Sequence, residues 1–449
     1  MSPPRRILLL ARHFPPIGGA GVHRSLGSVR NLPAHGYAPV VVTGPAERTT
    51  RWSPRDTTLL SQLPPGTELH RIPGPEPHGE REGWGGRVDR WLQRRPRWVQ
   101  WWVENAVAAG IRHGEGIDLV YASCIPYETA EAGARVAAAL GVPWVADLED
   151  PWALDEMRVQ PTALHQRLDM GRMRRALESA SAIVMCAPEA AERVRRDLPG
   201  RAERIVTSVP IGFDRGAFGG PARRGGDGSF RIVHTGSLQT QLGNDHRRSR
   251  NLRRVLGGTS VDVDILTRSH VFLLEAVDRL LAARPELRDR VEVHFAGGLT
   301  DGDREVIGGR SYVRDAGLLA HPETVALMRS ADLLFLPMHN MPPGERAGLI
   351  PYKTFEYLAA RRPVLAAVPD GDVRDLLEPL ADATVCRPDD VAGMAAAIGA
   401  WVDRGPVDEV AHDFDAPPLA ELERSRCVAR IAAVLDRVLG VAEPVARAA

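Results

Sequence analysis

The part of the sequence that says most about the fold is GLIPYKTFEYLAARRPVL, from Gly348 to Leu365. A proline near its start presets the N-terminus of a helix, predicted over Lys353–Arg361, and the apolar run at its end is typical of a buried strand. Lys353 lies in the first turn of this helix, where a cation opposes the helix dipole unless an anion neutralises it. Lys353 and Glu356 are three residues apart and share one face. We therefore expect the lysine to bind a phosphate and the glutamate to accept the hydroxyls of a ribose.

On both sides of this stretch, short apolar runs alternate with longer helical patterns. This alternation indicates parallel sheets with crossover helices, and it predicts two doubly wound α/β domains in series. The strands predicted for the first series are Ile7–Ala11, Ala38–Thr43, Leu119–Ala122, Trp144–Asp147, Ala182–Cys186 and Ile205–Val209. The strands predicted for the second series are Arg231–Thr235, Val291–Ala296, Leu333–Pro337, Val364–Ala367 and Ala383–Cys386.

The length of 449 residues fits two domains of ordinary size. We predict an N-terminal domain over residues 1–215 and a linker over 216–228, which is rich in glycine, proline and arginine. A second domain is predicted over 229–418. The remaining residues, 419–449, contain a helix that is long enough to cross back onto the first domain.

Composition excludes several classes of protein. The chain has 57 basic and 57 acidic residues, and this balance argues against a nucleic-acid partner. Its four cysteines are widely spaced and form no CxxC pair, which favours a reducing cytoplasm over a disulfide framework or a zinc site. The apolar run Ile7–Ala11 is too short for a signal peptide or a membrane span. We expect a cytoplasmic protein without integral membrane contact.

Two glycine turns are placed where parallel sheets bind ligands, after a strand and before a helix. The first turn follows the first strand and contains Gly18, Gly19 and Gly21 in a GGAG run, which lacks the GxGxxG spacing of dinucleotide sites. The second turn, HTGSL, contains Gly236 and Ser237. Together with Arg268, at the start of a later helix, it could cradle a diphosphate. The alternative is an ordinary strand-to-helix turn with a surface arginine.

Three acidic residues follow strands of the first domain: Glu128, Asp147 and Asp150. Carboxylates at such positions could bind an acceptor or transfer a proton. The alternative is that they cap helices and form turns, because Asp before Pro is common in turns.

Three regions do not follow the strand–helix alternation. Residues 45–77 have the composition of an extended connection, and the arginine run from His246 to Arg254 is typical of a solvated loop. Five tryptophans lie within one short segment, which is predicted to pack as a helix against a core or to form an acceptor wall. These tryptophans are Trp84, Trp91, Trp98, Trp101 and Trp102.

Taken in order, the motifs FPPIGGAG, HTGS, the helix start at Arg268, AHPETVALMRSADLLFLP and PYKTFEYLAARRPVL resemble those of the retaining glycosyltransferases of GT-B fold, of the group 1 or family 4 type. The resemblance runs over nearly the whole chain. It implies two Rossmann-like domains that face a cleft, an acceptor-binding first domain and a second domain that binds a nucleotide-sugar. It also implies sugar transfer with retention, without a metal ion or any cofactor other than the donor.

The resemblance also assigns roles to individual residues. It implies that Glu356 holds the nucleotide ribose and that Arg268 lies near the basic ligand of the diphosphate. The loop at Gly18 and Gly19 would face the donor phosphates. Gly297 and Leu318 would border the nucleobase. The residues predicted to act in catalysis are Arg268, Lys353, Asp147 and Glu128, and those predicted to bind the donor are Gly18, Gly19, Gly236, Ser237, Arg268, Gly297, Leu318, Lys353 and Glu356.

The sequence departs from the family pattern at two positions. Many relatives carry two glutamates separated by seven residues, but Gly348 stands where the first would be, and Glu345 is out of register. Ser237 stands where many members have an arginine, and the arginine-rich insertion at 239–264 could supply the missing charge.

Several functions remain open from the sequence. The first is transfer from a GDP- or UDP-sugar to a small-molecule acceptor, as in antibiotic biosynthesis, including thiol acceptors. Others are a cell-envelope glycosyltransferase, a sugar-nucleotide 2-epimerase and a silent binding scaffold. A metal-dependent GT-A enzyme would need an Asp-x-Asp site, and such triplets occur at Asp262/Asp264, Asp301/Asp303 and Asp370/Asp372. A homodimer is compatible with all of these functions.

Overall fold

The computed structural model describes residues 3–47, 53–76, 88–89, 91–198, 204–219, 228–405, 407, 409–410 and 413–441. The chain divides into two compact units. Unit 1 consists of Met1–Asp155, Leu164–Ile211 and Arg424–Ala449, and unit 2 consists of Glu156–Ala163 and Gly212–Glu423. Trp84 and most of the predicted linker, residues 220–227, lie outside the described residues.

Unit 1 contains a parallel sheet of seven strands. The strands are β1 (Arg5–Ala11), β2 (Tyr37–Thr43), β3 (Glu68–Arg71), β4 (Leu119–Ser123), β5 (Trp144–Leu148), β6 (Ala182–Met185) and β7 (Ile205–Ser208). Their order is β3-β2-β1-β4-β5-β6-β7, so β1 lies between β2 and β4 and is buried along Ile7–Ala11. From β1 to β3 the chain crosses the sheet in one direction, and from β4 to β7 it crosses in the opposite direction. This is the arrangement of a doubly wound fold.

Several helices connect these strands. They are α1 (Ala20–Asn31), α2 (Arg97–Arg112), α3 (Thr129–Leu140), α4 (Ala163–Leu177) and α5 (Pro188–Asp197). Small residues on α3 let it lie close to the sheet, since a side chain at Gly133 would meet Ala122 and Trp144.

Unit 2 contains a second parallel sheet, with six strands. The strands are β8 (Phe230–Thr235), β9 (Val291–Ala296), β10 (Val313–Asp315), β11 (Leu333–Pro337), β12 (Val364–Ala367) and β13 (Ala383–Cys386). Their order is β10-β9-β8-β11-β12-β13, so β8 is central, and Ile232 and Val233 are fully buried.

In the described part of unit 2, seven helices accompany the second sheet. They are α6 (Thr240–Val255), α7 (Val271–Ala283), α8 (Asp301–Ile307), α9 (His321–Arg329), α10 (Tyr352–Ala359), α11 (Asp372–Leu377) and α12 (Val391–Arg404). The apolar face of α7 supplies Leu273, Leu274 and Val277 to the core of the unit.

The last helix, α13 (Arg424–Val438), belongs to unit 1. Its apolar face, which includes Val428, Ile431 and Leu435, packs into the same core as β1. Arg424 lies against Gly27 of α1 and donates a hydrogen bond to the carbonyl of His23 at 2.9 Å. The chain therefore returns to its first unit through this helix.

Two strands were missed by the sequence prediction. Strand β3 lies within residues 45–77, which were predicted to be an extended connection, and β10 was not predicted at all. Both are edge strands of three or four residues with polar side chains, so they lack the apolar run on which the prediction depended.

The arginine run from His246 to Arg254 was predicted to be a loop, and this was wrong. It forms most of helix α6. Arginine is a good helix former, and the charges are paired with the segment that follows: Arg247 with Asp264, and Arg250 with Asp262 at 2.8 Å.

The described tryptophans of the aromatic segment have different surroundings. Trp102 is fully buried in α2, and its Nε1 donates to Thr129 Oγ1 at 3.0 Å, as expected for a helix that packs on a core. Trp98 lies against the guanidinium of Arg12, and Trp91 is 50% exposed.

Candidate functional site

Two glycine turns follow the neighbouring strands β8 and β9 in unit 2. Gly236 has a φ of +96°, and its N–H donates to the carbonyl of Ala296 at 2.7 Å. A Cβ on Gly297 would lie 2.5 Å from the carbonyl oxygen of Gly236, so a larger residue cannot fit without moving the turn. The two turns therefore form one close-packed backbone platform at the carboxyl edge of the sheet, where such folds bind ligands.

Lys353 reaches this platform from the first turn of α10. Its Nζ lies 3.1 Å from His234 Nε2, and 3.1 Å from the place that a Cβ on Gly236 would occupy. His234 Nδ1 lies 3.0 Å from the carbonyl oxygen of Phe335, which can only accept, so Nδ1 carries the proton. His234 Nε2 is therefore the acceptor for the ammonium group of Lys353.

Lys353 lies near a cation that lowers its pKa, Arg268, and near an anion that raises it, Glu356. Burial lowers the pKa of Lys353 well below its ordinary value, and the positive charge of Arg268 lowers it further. Burial, followed by the charge of Lys353, also lowers the pKa of His234, which keeps this imidazole neutral. Two cations beside a helix N-terminus repel each other, and a bound anion would remove that repulsion.

Lys353 is the only lysine of the chain, beside 56 arginines. The ammonium group of lysine is compact and can lose its proton when it is buried, whereas the guanidinium of arginine stays charged. Lys353 therefore gives the site a smaller and titratable cation.

Glu356 follows Lys353 on α10 and is 6% exposed. Its Oε1 accepts a hydrogen bond from His321 Nε2 at 2.9 Å, which fixes the carboxylate relative to α9. The neighbouring Tyr357 hydroxyl accepts from the N–H of Thr235 at 2.9 Å, so α10 is held against the end of β8. The pattern of one lysine and one glutamate on α10, predicted from the sequence, thus occurs beside the Gly236 turn.

The other predicted donor-site residues of unit 2 surround this platform. Arg268 is half-buried after a short 3-10 helix and donates to Met157 Sδ at 2.9 Å. Ser237 is half-buried next to Gly236, and Leu318, beyond β10, is 52% exposed. The structure thus brings Gly236, Ser237, Gly297, Arg268, Lys353 and Glu356 to one edge of the unit, with Leu318 at its periphery.

In unit 1, the glycine loop forms the start of α1. Gly18 donates its N–H to the carbonyl of Pro54 at 2.7 Å. Gly19 is the N-cap of α1 with a φ of +113°, and the helix has no side-chain cap. Because a helix N-terminus favours anions, this geometry is compatible with the predicted phosphate-facing role of the loop.

Asp147 lies in a buried ion pair. It is 2% exposed, and its Oδ2 accepts from Arg24 Nε at 2.6 Å and from the Tyr121 hydroxyl at 2.5 Å. Arg24 also donates to the carbonyl of Val209 at 2.8 Å, which ties α1 to two strands of the sheet. Asp147 therefore has a structural role in this ion pair, and its predicted role toward an acceptor stays a prediction.

Glu128 stands at the N-cap of α3 and is half-buried. Its side chain makes no capping hydrogen bond, although its carbonyl accepts from Glu131 N–H at 3.0 Å. The structure therefore does not support a capping function for this carboxylate, and its predicted role toward an acceptor stays a prediction.

Comparisons with known proteins bear on both units. Residues 18–210 match the model of a glycosyl transferase 4-like domain, and residues 266–404 match that of the glycosyl transferases group 1. Between them the two models span most of the chain. The chain is a GT-B glycosyltransferase. No curated protein matches its sequence at a significant level.

Solved structures resemble this glycosyltransferase over its whole length. Sucrose-phosphate synthase from Thermosynechococcus elongatus matches with a TM-score of 0.55 and 15% identity, covering 98% of this chain and 100% of the other. An E. coli trehalose-6-phosphate protein bound with UDP-2-fluoro glucose matches with a TM-score of 0.60 and 11% identity, covering 97% and 99%. A Listeria monocytogenes protein described as a UDP-N-acetylglucosamine 2-epimerase matches with a TM-score of 0.52 and 10% identity, covering 98% of each chain. At these identities the likeness concerns the fold.

The Asp-x-Asp triplets of the glycosyltransferase have structural partners. Asp262 and Asp264 pair with the arginines of α6, and Asp303 forms the capping box of α8 with Thr300. Asp370 pairs with Arg374 and Arg387, and Asp372, at the start of α11, pairs with Arg346. None of the helices in the described ranges combines the length and apolar composition that crossing a membrane requires.

One acidic residue of the glycosyltransferase was missed by the sequence analysis. Glu149 follows β5 between Asp147 and Asp150, and its Oε1 is buried without a hydrogen-bond partner. A Cβ on Gly21 would lie 2.6 Å from this oxygen, so the glycine makes room for the carboxyl beside the loop. Burial, then the negative charges of Asp150 and Asp147, raise the pKa of Glu149 to about 8. Glu149 was missed by the sequence analysis because it lies between two aspartates. The sequence does not show which of these three acids lies beside the glycine loop.

A second missed residue is Glu156, and it bears on the absence of a glutamate at position 348. Glu156 Oε1 accepts from the N–H of Gly348 at 2.9 Å, whereas Glu345 is exposed. The sequence gives no local signal for this contact, because the two residues are 192 positions apart.

Proposed function

We propose that the enzyme transfers a sugar from a UDP-sugar to a small-molecule acceptor, with retention at the anomeric carbon and without a metal ion or other cofactor. The observation that carries the proposal is the contact of Lys353 with His234 and the Gly236 turn, beside the charge of Arg268. Glycine turns at the carboxyl edge of a sheet, with two cations at a helix N-terminus, are suited to a diphosphate.

The departing diphosphate gains negative charge during transfer. Cations that are fixed beforehand stabilise this charge in the transition state and need no reorganisation. Lys353 and Arg268 would supply this stabilisation in place of a metal ion. In a retaining transfer, the departing phosphate would take the proton of the acceptor.

The nucleoside part of the donor would bind beside these cations. Glu356, held by His321, has the geometry to accept hydrogen bonds from the ribose hydroxyls. The nucleobase would lie toward Gly297 and Leu318. The choice of uracil is supported by the structurally similar protein that is bound with UDP-2-fluoro glucose.

The acceptor would bind to unit 1. The carboxyls of Glu128 and Glu149 are the groups that support this assignment. We further propose that the enzyme acts in the cytoplasm on a small molecule of specialised metabolism, such as an antibiotic precursor with a hydroxyl or thiol nucleophile.

The proposal is tested by incubating the enzyme with UDP-glucose or UDP-N-acetylglucosamine, in the presence of EDTA and with or without a panel of alcohol and thiol acceptors. UDP release and the anomeric coupling constant of the product are read by NMR. We expect acceptor-dependent release and a product with the anomeric configuration of the donor. Conversion of the donor alone to its C2 epimer, or an inverted product, would contradict the proposal.

Two variants connect the activity to the site. Arg268→Ala should lower kcat by about a hundredfold, because removal of one group that stabilises transition-state charge costs that much in other enzymes. The control is Arg248→Ala, since the Arg248 side chain is 77% exposed on α6. If kcat of Arg268→Ala were unchanged while KM rose, Arg268 would be a ligand of the ground state only.

A further inference from the structure

The short segment Glu156–Ala163 belongs to unit 2, although the chain on both sides of it belongs to unit 1. At its start, Glu156 is buried, with a side-chain exposure of 4%. Its Oε1 accepts from the N–H of Gly348 at 2.9 Å and lies 3.2 Å from His339 Nε2. These two donors fix the orientation of the carboxylate.

The same segment touches the proposed diphosphate site. Met157 Sδ accepts a hydrogen bond from Arg268 Nη1 at 2.9 Å. The charge of Arg268 in turn acts on Lys353. Glu156 therefore precedes, in the sequence, a residue that contacts Arg268. Arg268 and Lys353 are the two cations on which the proposed function depends.

The order of strands places Glu156 on a particular side of these cations. Gly297 and Leu318 follow β9 and β10, which lie on one side of the central strand β8. His339 follows β11, and the residue before Gly348 pairs with Gly371 after β12, on the other side of β8. Since Glu156 contacts His339 and Gly348, it lies on the opposite side of the Gly236 turn from the nucleobase position.

A nucleotide-sugar is a linear molecule in which the sugar follows the diphosphate, at the end away from the nucleobase. With the nucleobase toward β9 and β10 and the diphosphate at β8, the sugar would extend toward β11 and β12. We propose that Glu156 is a ligand of the donor's sugar and accepts a hydrogen bond from one of its hydroxyls. This inference rests on the proposed function, and it assigns the sugar subsite to a segment that comes from between the strands of unit 1.

The chemistry of the group supports this assignment. A carboxylate held by a backbone N–H and an imidazole keeps a fixed position, and carboxylate oxygens accept hydrogen bonds from hydroxyls at more than one lone pair. A hydrogen bond to a charged group is among the stronger polar interactions, so its loss should be measurable in affinity.

The test compares the dissociation constants of UDP, UDP-glucose and UDP-N-acetylglucosamine by calorimetry. The variants are Glu156→Gln, which removes the charge, and Glu156→Asp, which withdraws the carboxylate. The control is Glu345→Gln, an exposed glutamate three residues from Gly348. We expect both Glu156 variants to bind UDP within about twofold of wild type and at least one UDP-sugar about tenfold more weakly. The control should match wild type for every ligand.

The outcomes separate this inference from the proposed function. If the Glu156 variants bind UDP-sugars as wild type does, the sugar assignment is wrong while the donor site stands. Equal loss of UDP and UDP-sugar affinity would also overturn it, because Glu156 would then support the whole site and not the sugar. Wild-type binding of UDP without binding of either UDP-sugar would contradict it as well. If the wild-type protein bound none of the three ligands, the proposed function itself would be contradicted.

Discussion

At the scale of single residues, Lys353 is a half-buried cation that lies between the positive charge of Arg268 and the negative charge of Glu356. Its pKa is lowered by burial and by Arg268 in the free protein, and a bound diphosphate would favour the charged form and raise it. Binding of UDP should therefore be accompanied by the uptake of a proton by Lys353. The affinity for UDP should fall as the pH rises above the pKa of free Lys353.

This prediction can be measured directly, because Lys353 is the only lysine. Protein labelled with 13C-lysine gives one set of lysine side-chain signals, and its titration yields the pKa with and without saturating UDP. We expect the pKa to be below its ordinary value without UDP and to rise when UDP is added. An unchanged titration curve would show that Lys353 does not contact the diphosphate.

Glu356 should contribute to the affinity for the nucleoside part of the donor. Loss of its hydrogen bonds to a ribose should weaken UDP binding by about 1–3 kcal/mol in Glu356→Ala, measured by calorimetry. The matched control is Glu305→Ala, since Glu305 is exposed on α8 of the same unit. If the dissociation constant of the Glu356 variant equalled that of the control, the ribose role would be excluded.

Glu149 should make stability depend on pH. Its pKa of about 8 in the folded protein exceeds the ordinary value of 4.5, so the folded state binds the proton more tightly than the unfolded state does. The free energy of unfolding should therefore fall as the pH rises from the unfolded to the folded pKa, and level off above it.

The variant Glu149→Gln is neutral at every pH and should lose this dependence. At about pH 8 it should be more stable than wild type by on the order of 2–4 kcal/mol, since one pKa unit corresponds to about 1.4 kcal/mol. Near pH 4.5 the difference should vanish. Urea unfolding at both pH values measures it, with the exposed Glu178→Gln as control. A constant difference between Glu149→Gln and wild type at both pH values would mean that Glu149 is ionised in the folded protein.

At the scale of elements, the two glycine turns should be necessary for the platform. A Cβ on Gly297 would meet the carbonyl oxygen of Gly236 at 2.5 Å, so Gly297→Ala should destabilise unit 2 by about 2–3 kcal/mol. Gly309→Ala is the control, because a Cβ at Gly309 has no heavy atom within 4 Å and should change stability by less than about 0.5 kcal/mol. Thermal unfolding of both variants checks this, and equal melting temperatures would contradict the close contact.

The sequence predicted buried elements better than exposed ones. The limits of β9, β11, β12 and β13 agree with the prediction, because each has a continuous or periodic apolar pattern. Strands β3 and β10 lie at the sheet edges and depend on pairing with a neighbour, which no local pattern reveals. Helix α6 was missed because its charges are paired only in three dimensions.

At the scale of the whole molecule, the fold and the family were predictable from the sequence. The fold follows from the alternation of strand and helix patterns, and the family follows from motifs that run along the chain. The Lys353 and Glu356 pattern was predictable for the same reason, since both residues lie on one helix. Glu156 and Glu149 were not, because their roles depend on contacts with Gly348 and Gly21, which are distant in sequence. The partner of Asp147 was missed in the same way, 123 positions away at Arg24.

The central claim is that unit 2 binds the UDP part of the donor at the ends of β8 and β9 and at the start of α10. Hydrogen–deuterium exchange with and without saturating UDP tests it most directly, because it reports both whether UDP binds and where. We predict slower exchange at residues 234–238, 266–270, 296–298 and 352–357, and less protection in Glu356→Ala than in wild type at a UDP concentration near the wild-type dissociation constant. Unchanged exchange throughout, or protection confined to unit 1, would contradict the account.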